Sequence, residues 1–349
     1  MRFIALFFFL TFFTASTSPL INDTFFRLLK RETIITWNPP PTYNSTSTTL
    51  YTNNIKDNIS AVRYHIWRTA DGKQSTQTFK STDKRHNFPF RFNLSSFQSK
   101  RGEFNVEAYG IKKDGTEKHL AQASLTFPQY ISILMYHSID TFTGSGLKEL
   151  YVSPESFEAQ INFLKTNGYT LLTFEHWNDI NKVNKPVIVT FDDGYKNNLN
   201  AYKTFQKLKN ERFHPCGTLF VITELIGKPK RLTASDLKEL SDSGYFSVQS
   251  HSATHPDLRK IRNYEYELKS SKDTIKKITG KPVIALAYPY GFFNEKVINE
   301  TQKYYNFAVT VKKGQYIEKG LPNELYTMPR VWIEYDTTLE QFADLVRVK

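Results

Sequence analysis

The sequence is short of cysteine, of long apolar stretches and of concentrated charge, and each shortage removes a class of protein. A single cysteine, Cys216, stands among 349 residues. That excludes an intramolecular disulfide and any Cys-rich zinc cluster, so a metal would take its ligands from histidine and carboxylate. Charged residues make up 23% of the chain, against 40% hydrophobic and 15% aromatic, a composition that folds instead of staying disordered. The formal net charge is +12, yet Lys and Arg are scattered in ones and twos. Such scatter reads as a solvated basic surface, with an anionic lipid or acidic wall polymer as the alternative neighbour; nucleic acid is not expected as a partner.

No apolar run reaches the roughly 20 residues that span a bilayer. The longest, Phe3 to Phe13 behind Met1-Arg2, is closed by Thr14 and Ser16 and ends in the small residues Ala15-Ser16-Thr17-Ser18. Residues 1–18 therefore read as a secretory signal peptide, and no cysteine follows to carry a lipid. The expectation is a secreted or cell-surface protein with no transmembrane span in its mature chain.

Two textures follow. Over residues 31–127 short runs alternate apolar and polar side chains: Val62, Tyr64 and Ile66; Phe88, Phe90, Phe92 and Leu94; Phe104, Val106 and Ala108. A period of two places each set on one face of a strand. Asp114-Gly115 supplies a hairpin turn, and Asn38-Pro39-Pro40-Pro41 reads as a loop ahead of the first good strand. A small all-β sandwich is expected.

After Pro128 strands alternate with helices. The strand candidates are 131–136, 187–191, 218–222, 246–249, 283–288, 307–310 and 331–333. One helix starts at Ser153-Pro154 and stops at Gly168, a second runs from Thr233 to just before Gly244, and a third carries Leu268, Ile275 and Ile278 up to Gly280. Residues 128–349 thus predict an α/β domain, a distorted (β/α) barrel, whose chemistry belongs at its strand ends.

Two strand ends carry unusual residues. Val187 to Phe191 runs into Asp192-Asp193-Gly194-Tyr195, which is either a solvated Asp-Gly turn or a pair of carboxylates that needs a cation or a shared proton nearby. Phe246 to Gln249 runs into Ser250-His251-Ser252-Ala253-Thr254-His255-Pro256. Two imidazoles four residues apart share a face if the segment is a helical turn, close enough for one metal ion, though a hydrogen-bonded surface pair has the same spacing. One Asp and two His make an acceptable three-ligand set for Zn2+ with a position left open, the arrangement of a hydrolytic site.

The catalytic half resembles the polysaccharide deacetylase family, the NodB homology domain of carbohydrate esterase family 4. The matching text is Thr190-Phe191-Asp192-Asp193-Gly194, then Ser250 to Leu258, then Ala287-Tyr288-Pro289-Tyr290-Gly291, in family order. It is most similar to the poly-β-1,6-N-acetylglucosamine deacetylase branch, because Leu134-Met135-Tyr136-His137 precedes the Asp pair. The N-terminal segment resembles, through its strand texture and Lys112-Lys113-Asp114-Gly115, modules of the GBS Bsp-like repeat type.

The family resemblance implies a divalent ion, Zn2+ first and Co2+ or Ni2+ as alternatives, held by Asp193, His251 and His255, with Asp192 as general base. It implies the backbone N–H of Tyr290 as an oxyanion donor. No histidine follows His255, so the acid that protonates the leaving amine falls to His137. An arginine usual in the third motif is missing, and Arg330 is the substitute that would orient Asp192, with Trp332 lining the acetyl pocket. The implied activity is hydrolysis of acetamide groups on a cell-wall or biofilm polysaccharide, poly-β-1,6-N-acetylglucosamine or peptidoglycan, by a monomer associated with the cell wall. Chitin or O-acetylated xylan as substrate, and a non-catalytic wall-binding protein with a retained barrel, are the alternatives.

Overall fold

The computed structural model describes residues 32–347; the signal-peptide segment, 1–18, lies outside them. Seven antiparallel strands come first: β1 (Ile34–Asn38), β2 (Ser47–Asn53), β3 (Ala61–Arg68), β4 (Gln77–Ser81), β5 (Phe90–Asn93), β6 (Gly102–Ile111) and β7 (Glu117–Phe127). They form one sheet of order β1-β2-β5 and a second of order β4-β3-β6-β7. The inward residues of both sheets meet in one core, where Phe92 lies 5.0 Å from Phe104 and 5.3 Å from Phe127. The Pro-rich stretch does not precede the first strand, as the sequence suggested, but follows β1. Ile34 and Ile35 are buried there, a two-residue apolar signal too short to show a period.

The remaining strands are parallel: β8 (Ser132–Tyr136), the short pair β9 (Ser138–Ile139) and β10 (Tyr151–Val152), β11 (Thr170–Leu172), β12 (Pro186–Phe191), β13 (Gly217–Val221), β14 (Phe246–Ser250), β15 (Ala285–Ala287), β16 (Phe307–Lys313) and β17 (Met328–Trp332). Apart from the β9–β10 pair they form a sheet of order β11-β12-β13-β14-β15-β16-β17-β8, and a further β12–β8 pairing closes it. The distortion has a local cause. β11 and β13 both pair with β12, β11 at Pro186–Ile188 and β13 at Thr190–Phe191, while β8 runs along Val187–Phe191. The closed ring therefore has seven strands, with β11 attached outside it.

Helices α1 (Pro154–Thr166), α2 (Leu199–Leu208), α3 (Ala234–Asp242), α4 (Ser271–Thr279), α5 (Glu295–Thr301) and α6 (Leu339–Val346) surround the ring. Ser153 caps α1 by accepting from the Ser156 N–H at 3.1 Å, and Thr233 with Asp236 forms a capping box on α3. Strand residues pointing outward, such as Leu134, Val187 and Val189, pack on the helices. Their neighbours Ile133 and Ile188 belong to a separate cluster with Ala285, Val309, Phe174 and Phe307. Trp177, 5.0 Å from Phe307 at the start of β16, closes the end of the barrel at which strands begin.

That end also carries the N-terminal sheets. Arg68, 2% exposed, donates to the Arg101 carbonyl at 2.6 Å, to Gln129 Oε1 at 3.1 Å and to Asn184 Oδ1 at 3.3 Å. The Glu103 N–H donates to the Asn181 carbonyl at 2.7 Å. At Gly102, φ +124°, a Cβ would lie 2.8 Å from that same carbonyl, so the close approach needs glycine. Asn181 and Asn184 stand just before β12, which leaves the opposite mouth, where strands end, free of the β-domain. Among the described residues no helix is long and apolar enough to cross a membrane.

Candidate active site

Asp192 continues the ladder past the end of β12, its N–H donating to the Tyr136 carbonyl at 2.9 Å. This keeps its carboxylate pointing into the barrel, 2% exposed. Arg330, on β17 and 0% exposed, meets it from across the ring. Its two terminal nitrogens donate to Oδ1 at 2.8 Å and Oδ2 at 2.7 Å. Arg330 is itself fixed by donating to Thr310 O at 2.9 Å and Thr190 Oγ1 at 3.1 Å. Burial alone would raise the Asp192 pKa. The charge and paired hydrogen bonds of Arg330, helped by His251 and His137, outweigh it and hold the carboxyl well below the usual carboxylate range.

The next residue turns away. Asp193 has φ 70° and Gly194 φ 66°, two left-handed residues in succession that send the second carboxylate in another direction from the first. A non-glycine residue there costs on the order of 1 kcal/mol or more and persists only when its surroundings impose it. Arg231 does so, donating to the Asp193 carbonyl at 2.6 Å while its guanidinium lies 4.0 Å above the Tyr195 ring.

Both histidines follow β14. His251 Nδ1 lies 2.8 Å from the Ala287 carbonyl, which calls for a proton on Nδ1 and leaves Nε2 with a free lone pair for a ligand. The segment beyond is not the helical turn that the four-residue spacing suggested. Ser252 has φ 65° and His255 φ 63°, and a loop closed by the His255 N–H on Ser252 Oγ at 3.0 Å brings the rings to 4.6 Å. Glu267 anchors that loop. It is 6% exposed and accepts from the Ala253 and Thr254 N–H groups at 3.0 and 2.9 Å and from Thr254 Oγ1 at 2.6 Å. The helix expected across this region is divided: Glu267 sits in a π-helical turn, Glu265–Ser270, that leads into α4.

Three donor atoms thus converge. Asp193 Oδ1 lies 3.6 Å from His251 Nε2 and 4.0 Å from His255 Nε2, and one ligand atom from each residue falls within 4.8 Å of the others. Ligands about 2.0–2.2 Å from a tetrahedral ion are separated by roughly 3.4 Å, so contraction by about 1.4 Å at most would fit one. Burial, then the charge of His251, brings the His255 pKa down to about 4, so this imidazole is neutral near pH 7, the form that ligates. Chemistry and spacing both suit a divalent ion.

His137, just past β8, places Nε2 3.9 Å from Asp192 Oδ2, and its carbonyl accepts from Asn198 Nδ2 at 2.7 Å. Burial lowers its pKa against the opposing pull of Asp192 and Asp193. Tyr290, at φ 58° beyond β15, holds its ring 4.4 Å from that of His255. Gly291 beside it has φ +69°, and a Cβ there would lie 2.3 Å from Val311 Cγ2, so no other residue fits. Trp332 ends β17 half-buried, its Nε1 donating to the Val311 carbonyl at 2.9 Å and its ring 4.5 Å from Lys313 Nζ. The residues named from sequence therefore sit at or just past the ends of five strands, β8, β12, β14, β15 and β17, except Arg330, which lies within β17.

Sequence reasoning passed over Arg231 and Glu267. For Glu267 a signal existed: an acid beside the apolar stripe of Tyr264, Leu268 and Ile275 is out of place unless it has buried partners.

A family profile described as polysaccharide deacetylase matches residues 179–307. A solved structure, BC0361, a polysaccharide deacetylase from Bacillus cereus, is 52% identical, covers 90% of this chain and 100% of that one, and superposes with a TM-score of 0.88. YxkH of Bacillus subtilis (strain 168) is 31% identical over 196 residues, 54% of this chain and 66% of that protein. A poly-β-1,6-N-acetyl-D-glucosamine N-deacetylase of Staphylococcus epidermidis is 26% identical over 222 residues, 57% of this chain and 73% of that protein. With its barrel, its strand-end carboxylates and histidines, and a match at 52% identity over 90% of its length, the chain belongs to the polysaccharide deacetylase family, enzymes that hydrolyse amide bonds.

Proposed function

We propose that the protein is an exported, metal-dependent N-deacetylase acting on N-acetylglucosamine units of a cell-wall or biofilm polysaccharide. Poly-β-1,6-N-acetylglucosamine is the first candidate, because that is the polymer named for the Staphylococcus epidermidis relative and because a histidine follows β8. The supporting observation is the convergence of Asp193, His251 and His255 beside an ionised Asp192.

In this reading Asp193 Oδ1 and the two Nε2 atoms hold the ion, Zn2+ first. When bound, the ion supplies Lewis acidity, polarising a carbonyl and acidifying water. Asp192, kept as a carboxylate by Arg330, accepts a proton from the water that attacks the acetamide carbon. The backbone N–H of Tyr290 donates to the oxygen on which negative charge develops. His137 is neutral near pH 7, so it can protonate the leaving amine only after receiving a proton, and Asp192 at 3.9 Å supplies one. The carbon–nitrogen bond then breaks to acetate and a free amine, and Asp192 and His137 return to their starting protonation. Arg330 orients Asp192, and Trp332 lines the space for the acetyl group.

The test is release of free amine and acetate when zinc-loaded protein meets acetylated glucosamine oligomers. Equal yields of the two support the reading. Background yield from β-1,6-linked, β-1,4-linked and peptidoglycan-derived oligomers alike would reject it.

A further inference from the structure

Two loops at the mouth carry aromatic rings that belong to none of the three hydrophobic cores. The loop between β9 and β10 holds Phe142 and leads into Tyr151, and the segment after β17 holds Tyr335. Phe142 stands edge-to-face with Tyr151 at 5.3 Å and with Tyr335 at 6.2 Å. Tyr335 remains 40% exposed, and Lys148 Nζ lies 4.2 Å from its ring centre. The cluster is joined to the candidate active site along the chain: β9 begins at the residue after His137, and Tyr335 is three residues past Trp332, which pairs in register with Met135.

Rings in edge-to-face contact hold one another in place, and with Tyr335 40% exposed and Phe142 and Tyr151 half-buried the cluster leaves apolar ring surface open to solvent in the loops that follow His137 and Trp332. A neutral, chain-like substrate offers such a surface the C–H faces of its next sugar ring. We propose that Phe142, Tyr151 and Tyr335 form a stacking subsite for a pyranose adjoining the one being deacetylated, and that Lys148 biases this subsite toward a sugar that is still acetylated. Deacetylation turns a neutral acetamide into an ammonium, which the Lys148 ammonium repels. This subsite rests on the polysaccharide deacetylase reading above and adds to it a preference for neutral neighbours, so successive cuts along one chain are discouraged.

The test is calorimetric titration of zinc-loaded protein in the Asp192→Asn background with a β-1,6-linked N-acetylglucosamine pentamer. Tyr335→Ala and Phe142→Ala should each weaken binding roughly tenfold, the scale of one lost aromatic contact, while Tyr335→Phe, which keeps the ring, should bind like the parent. Affinities within twofold of the parent in both alanine variants would overturn the subsite, as would a parent that binds the pentamer no more tightly than the N-acetylglucosamine monosaccharide. A half-deacetylated pentamer should bind about threefold more weakly than the acetylated one, as expected for exposed charges, and Lys148→Gln should abolish the difference; an undiminished difference removes Lys148 from the subsite. Acetate release from the disaccharide, in the presence of Asp192, judges the enzyme reading separately. Its absence from the unsubstituted protein would reject that reading while the pentamer titration still decides the subsite.

Discussion

Arg330 and Asp192 face each other across the barrel as a buried, doubly hydrogen-bonded pair, at 2.8 and 2.7 Å. One sits at the end of β12 and the other within β17, so the carboxylate's plane is set by a strand 138 residues away in sequence. A lysine cannot reproduce the fork. Arg330→Lys should leave zinc content unchanged and reduce kcat by roughly 10²-fold, the lower end of what a positioned base contributes. Arg330→Ala should also lower stability by about 3–5 kcal/mol, because it leaves a buried charge unpaired. Steady-state kinetics and denaturant unfolding on both variants check this.

The neighbouring carboxylates are assigned different work. Asp192→Asn should retain close to full zinc content and lose turnover, whereas His251→Ala should lose both. Metal analysis alongside acetate release separates the two, and unchanged activity in either variant would contradict the assignment.

His137→Ala should slow amide cleavage by roughly 10²-fold or more. The same variant should lose far less on an acetate ester with an activated phenol, whose departure needs no proton. Equal losses on both substrates would return His137 to a structural role.

Glu267 touches neither ion nor substrate in this account. It positions the loop between the two histidine ligands, so Glu267→Gln, similar in size, should preserve the unfolding temperature while weakening zinc binding by about 10–100-fold, as partners behind metal ligands do. Competitive titration with a zinc chelator reads the affinity directly.

At the far end of the barrel, Arg68→Ala should destabilise the protein by about 2 kcal/mol or more, since it strands the carbonyl of Arg101 and the amide of Gln129. kcat should not change, because the β-domain docks away from the mouth. Thermal unfolding and acetate release on one sample check both halves.

The barrel was legible because several of its strands, β8, β12 and β13 among them, are buried and mostly apolar runs, and Asp192, Asp193, His251 and His255 stood out as chemistry-bearing residues close after strand ends. What escaped was backbone conformation and long-range pairing. A four-residue histidine spacing fits a helical turn as well as a loop with two left-handed residues, and only the second occurs. β11 is three residues long and shows no period. The contact of Arg68 with Asn184 joins residues 116 apart and leaves no local pattern, and the π-helical turn at Glu265–Ser270 looks in sequence like ordinary helix.

The most direct test of the account is zinc dependence at the Asp193, His251 and His255 centre. Protein stripped with a chelator and supplied with one equivalent of Zn2+ should regain acetate release from β-1,6-linked N-acetylglucosamine oligomers in proportion to the ion bound. Full turnover by protein holding less than about a tenth of an equivalent of any divalent metal would contradict it.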